Sequence, residues 1–83
     1  MKQADFISIT LQYSNKQLDL RIPTRVSIVR LKELLKEALL GIQIQLPHSF
    51  DLVVINKAIR LRAEDILADY PLGNGDAFAI KES

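Results

Sequence analysis

The chain has 83 residues, 48% hydrophobic and 25% charged, which suits one small core and predicts a single domain over residues 1–83. Its formal net charge of +1 argues against a general attraction to nucleic acid or to an anionic membrane surface, and the absence of cysteine removes disulfide frameworks and thiolate metal sites. The opening MKQADFISIT lacks the apolar stretch of a secretory signal, and no apolar run nears the roughly 20 residues that span a bilayer, so a soluble, cytoplasmic protein without direct membrane insertion is expected.

Residues 6–13, FISITLQY, alternate, with Ile7, Ile9, Leu11 and Tyr13 on one face and Ser8, Thr10 and Gln12 on the other. Ser14, Asn15 and Lys16 supply a polar turn, and residues 17–22 alternate again, with Leu18, Leu20 and Ile22 inward. Two such runs predict an antiparallel hairpin, which Pro23 ends by removing a ladder donor.

Residues 27–40, SIVRLKELLKEALL, read as the one long helix. Ile28, Leu31, Leu34, Leu35, Ala38 and Leu39 follow the spacing of a stripe buried on one side, and Arg30, Lys32, Glu33, Lys36 and Glu37 take the remaining positions. Ser27 is a good N-cap, Val26 can pack on Leu31 as a hydrophobic staple, and Gly41 is a plausible stop. About fourteen residues are marginal as an isolated helix, so the stripe needs a partner surface.

In residues 41–50 the Ile42, Ile44, Leu46 alternation allows a strand, but Gly41 and Pro47 favour an irregular connector that tucks apolar side chains under the helix. His48 stands alone there, without a second histidine or an acid cluster, and reads as a surface or partly packed loop residue. Residues 51–55, DLVVI, form an apolar strand whose buried face the pattern leaves open. Asn56 and Lys57 read as a turn, residues 58–61 as a short returning strand, and residues 63–69 as one helical turn or a loop. The Gly73-Asn74-Gly75-Asp76 run is a turn in which Gly75 can take positive φ. It lacks the lysine that would make it a phosphate loop. Residues 77–81 form a closing strand with Phe78 and Ile80 on one face. One helix over a mixed sheet of four to five strands, the last pairing beside the first, is an α+β β-grasp.

The hairpin, the helix beginning Ser27-Ile28 and the segment Leu67-Ala68-Asp69-Tyr70-Pro71-Leu72 followed by Phe78-Ala79-Ile80 resemble the ubiquitin-like superfamily. That resemblance implies that the Tyr70 hydroxyl pins its loop and that Leu72 enters the core. Within the superfamily the chain is similar to the YukD/EsaB proteins of type VII (WXG100, ESAT-6-like) secretion systems in Gram-positive bacteria. The shared features are the length, LDLRIP at residues 18–23, the helix at 26–39 and the tail at 67–80. The resemblance implies a non-catalytic accessory or regulatory component that docks on cytoplasmic portions of membrane subunits and so lies at the inner face of the cell membrane. It leaves a homo-oligomer open. The chain ends Ile80-Lys81-Glu82-Ser83 without the diglycine that adenylation and conjugation need, so covalent modification is not expected.

No catalytic, cofactor-binding or metal-binding residues are expected. Glu64, Asp65 and Asp69 lie close in sequence, but a solvated loop explains them at least as well as a catalytic pair. A docking patch is the better candidate. If Val53 and Ile55 face the helix, Leu52 and Val54 lie on the open sheet face with Ala79 and Lys81, near Arg60 and Arg62. The alternatives are a ubiquitin-like adaptor of another bacterial complex and, from a different class, a nucleic-acid-binding regulator using Arg21, Arg60, Arg62 and Lys81. The near-neutral charge speaks against the second.

Overall fold

The computed structural model describes residues 5–82; the readings made on residues 1–4 and on Ser83 lie outside them. Strands β1 (Phe6–Tyr13) and β2 (Lys16–Pro23) form the expected hairpin, antiparallel with Ile9 opposite Leu20 and Leu11 opposite Leu18. Ser14 and Asn15 both have positive φ, 50° and 64°. That pair makes a two-residue turn whose twist matches the strands it joins, and Lys16 already belongs to β2.

Helix α1 (Ile28–Leu40) starts where capping chemistry starts it. The Ser27 side chain accepts from the Arg30 amide at 3.1 Å. The other amides of the first turn are also paired: Ile28 donates to the Asp65 carbonyl, Val29 to Ala63 and Leu31 to Ser27. Residues 63–65 therefore cap the helix from outside. The buried stripe is narrower than expected, comprising Ile28, Leu31, Leu35 and Leu39, with Leu34 half-buried and Ala38 exposed. Gly41 is the C-cap, as expected, but not in the left-handed conformation. It continues the helical conformation at φ −61°, and Gln43 takes the positive φ of 66°. Leu39 there accepts from the amides of Ile42 and Ile44.

The segment after the helix is an irregular connector, with Leu46 buried and Ile44 packed at the core's margin. It leads into β3 (Phe50–Val54), and the chain closes with β4 (Ala77–Glu82). Residues 58–61 form no strand; they run as coil beside β3. The strand order is β2-β1-β4-β3. Strand β4 lies parallel to β1 and antiparallel to β3, so the last strand occupies the centre of the sheet next to the first. Phe78 is the middle of the core: it is fully buried, with Leu11 opposite on β1 and Val54 opposite on β3. The sheet's inner face and the helix stripe cover one another, and each fully buried aliphatic side chain contributes about 1.5–3 kcal/mol.

Candidate functional site

The phase of β3 decides what the open sheet face carries. Phe50, Leu52 and Val54 are buried, while Asp51 and Ile55 are exposed and Val53 is half-buried. Leu52 and Val54 are only 4% and 9% exposed, so the expectation that they lie on the open face is overturned. The physical reason is Asp51: a carboxylate without a buried partner must face water, and a period of two puts Val53 and Ile55 on its side of the strand. That signal was present in the sequence.

Cross-strand register builds the actual open face. Val53 is opposite Ala79 and Asp51 opposite Lys81, while Thr10 and Gln12 of β1 are opposite Ala77 and Ala79. The Ile55 amide donates to the Ala77 carbonyl at 2.8 Å, which carries the pairing one residue past β3. Val53, Ile55, Ala77 and Ala79 thus form a small apolar centre, with Ile55 46% exposed. Ala79 and Lys81 lie on this face with Ala77, and Val53 and Ile55 take the places that Leu52 and Val54 would have had.

Arg60 and Arg62 are both exposed. Arg60 borders a groove at the outer edge of β3 with Lys81 and Leu52, whereas the Arg62 amide donates to the Tyr70 hydroxyl at 3.1 Å. Arg21 lies on β2, at the opposite edge of the sheet, with its guanidinium 5.4 Å from the centre of the Phe6 ring. The cations considered for nucleic-acid binding are therefore not one patch.

Two polar knots hold the loops that frame this face. In the first, the Tyr70 hydroxyl accepts from Arg62 and donates to the Asp65 carboxylate at 2.6 Å. The hydrogen bond to Asp65 raises the Tyr70 pKa above its ordinary 10.0, because ionisation would set a phenolate against a carboxylate. Asp65 is thus a loop anchor. In the second, Asp76 is buried and accepts from Asn56 Nδ2 at 2.9 Å, Lys57 Nζ at 3.0 Å and the Gly73 amide at 2.8 Å. Burial works against the Asp76 carboxylate, but those three hydrogen bonds and the Lys57 charge outweigh it and hold its pKa below the ordinary 3.8. Gly75, at φ 90°, lets the turn close, and the Asn74 side chain accepts from the Ser8 amide at 2.8 Å. His48 is exposed, and its carbonyl, not its ring, is engaged, by Lys36 Nζ at 2.7 Å. No group of three or more metal-ligating side chains comes together among the described residues.

A mixed sheet with a parallel β1–β4 centre, crossed by one helix, defines a ubiquitin-like β-grasp protein. The ubiquitin-like domain of Dsk2 from Plasmodium falciparum matches it with a TM-score of 0.58 at 16% identity, over 92% of this chain and 99% of that domain. A chain of the ESX-5 inner membrane complex matches with a TM-score of 0.67 at 14% identity over 94% of this chain, which spans only 21% of the larger one. At these identities the likeness is one of fold.

Within that class the chain belongs to the family of YukD, a protein of the WXG100 protein secretion system (Wss), whose sequence model matches residues 6–80. An uncharacterised protein of Clostridium acetobutylicum is 32% identical over 74 residues, 89% of this chain and 80% of that relative. Family membership links this ubiquitin-like fold to type VII secretion.

Proposed function

We propose that the chain acts as one non-catalytic ubiquitin-like domain, an accessory or regulatory component of a type VII secretion system in a Gram-positive bacterium. It works in the cytoplasm by docking non-covalently on cytoplasmic portions of the machine's membrane subunits. The family match over residues 6–80 carries this reading. The fold likeness to a chain of the ESX-5 inner membrane complex is consistent with it, since a ubiquitin-like module occurs inside one such machine. No helix among the described residues is long and apolar enough to cross a membrane, so attachment through partners is the route proposed. The docking surface is the open sheet face, where Val53, Ile55, Ala77 and Ala79 are flanked by Lys81 and Asp51. An apolar centre with a charged rim is the anatomy of a protein interface.

The test is recovery of partners from detergent-solubilised host membranes with a tagged chain, beside a folded Ile55→Glu, Ala79→Glu double variant. Leu52 and Val54 are unsuitable positions because they are in the core. The expected result is secretion-machine subunits with the wild type and their loss with the variant. Recovery with both forms moves the docking surface elsewhere. Recovery with neither removes the secretion role.

A further inference from the structure

Strand β3 ends the sheet and has no partner strand on its outer side. The Ile55 amide donates inward to Ala77, and antiparallel pairing alternates from there, so Asp51, Val53 and Ile55 turn their backbone groups toward β4. Leu52 and Val54 then turn theirs outward, and among the described residues neither makes a hydrogen bond on that side. The coil that passes this edge does not pair with it: the Ile59 amide donates back to Lys57, and the Arg62 amide to Tyr70.

Between this edge, α1 and the coil runs a groove of about 470 Å³. Ile28, Leu52, Ile59 and Leu61 supply its apolar lining, and Lys32, Arg60 and Lys81 its charged rim. Lys36 continues the positive line past the groove, with the Lys32 and Lys36 ammonium groups 5.9 Å and 5.6 Å from the centre of the Phe50 ring. The one carboxylate lining the groove is Asp51. None of the four cations forms an ion pair with a carboxylate among the described residues. An unpaired row of amides and carbonyls beside an apolar groove is the template for strand addition. Three rim cations against one carboxylate select for negative charge.

We propose that the β3 edge takes an extended acidic segment of a partner protein as a fifth strand, its apolar side chains entering the groove and its carboxylates meeting Lys32, Arg60 and Lys81. Asp51, Val53 and Lys81 border both this groove and the open face, whereas Lys32, Arg60, Ile59 and Leu61 belong to the groove alone and Ile55, Ala77 and Ala79 to the open face alone, so the two surfaces are told apart at those residues.

The experiment uses the isotope-labelled full chain and a capped synthetic nonapeptide of alternating valine and glutamate, with the same peptide N-methylated at every amide as control. The expected result is amide shifts concentrated at Leu52, Val54 and residues 59–61, slowed exchange of the Leu52 and Val54 amides, and binding that weakens with salt. A folded Lys32→Glu, Arg60→Glu variant should bind about tenfold more weakly or worse. Equal binding of the methylated peptide, shifts confined to β2 or the open face, or no shifts at about 1 mM peptide would each overturn the proposal. Self-association of the chain through β3 would also overturn it, by making a second copy the occupant.

Discussion

Asp76 is the residue where this small protein places a charge inside, and the surroundings explain why it is tolerated. Three donors converge on it, and one of them, Lys57, also donates to the Pro71 carbonyl at 3.0 Å. The knot therefore ties the end of β3 to the loop that enters β4. A carboxylate held below its unfolded pKa adds stability at every pH above the unfolded value, and that contribution is lost as the pH falls through the folded value. The Asp76 pKa lies below 3.8, so wild-type stability should decline as the pH drops below about 4. Asp76→Asn should cost about 1–3 kcal/mol at neutral pH and show a shallower acid decline, measured by urea denaturation from pH 7 to about pH 3. An unchanged acid profile in the variant would assign the decline to other carboxylates. Tyr70 acts in the opposite pH direction: its raised pKa means its contribution is complete below 10.0 and lost as the pH rises further.

Strand β3 shows how one acidic residue sets the character of two surfaces. Because Asp51 must stay in water, Leu52 and Val54 go to the core, and Val53 and Ile55 go to the open face. Leu52→Glu and Val53→Glu change neighbouring residues in the same way but should differ sharply. Leu52→Glu places a carboxylate among Phe50, Ile80 and the helix side of the sheet, and should collapse the dispersion of the amide spectrum. Val53→Glu should leave that dispersion intact. A folded Leu52→Glu variant, or an unfolded Val53→Glu one, would reverse the assigned phase. Helix α1 has a similar dependence on its surroundings, since its first amides donate to Ala63 and Asp65, thirty or more residues along the chain.

The fold closes on Phe78. A chain of 83 residues has a stability of about 4–12 kcal/mol. Phe78→Ala removes the side chain that joins β1, β3 and the helix in one cluster, at an expected cost of about 3–5 kcal/mol. Most of the available stability would go with it, visible as a urea midpoint shifted far down or absent. A cost under about 1 kcal/mol would mean that the core does not depend on this ring. Because β4 carries Phe78 between β1 and β3, the core is complete only when the last strand has docked.

Local chemistry was enough to read the hairpin, the helix and its Ser27 cap, the turn at Gly75 and the closing strand. Each depends on a period of 2 or 3.6 or on a side chain acting within four residues. The same periods, with the Tyr70 segment, pointed to the ubiquitin-like class. What distance in sequence hides is which groups meet. A returning strand at residues 58–61 was expected from composition, yet those residues stay as coil, with Ile59 and Leu61 packed on the core while Tyr70 anchors the loop end at Arg62. Asp65 and Asp76 look like ordinary solvated acids until Tyr70, Asn56 and Lys57 are brought to them. The open face of the sheet and the free edge of β3 likewise exist only because β4 enters between β1 and β3, leaving β3 with a single partner. Periodicity assigns each side chain a face of its own element, but only the assembled sheet assigns that face a neighbour.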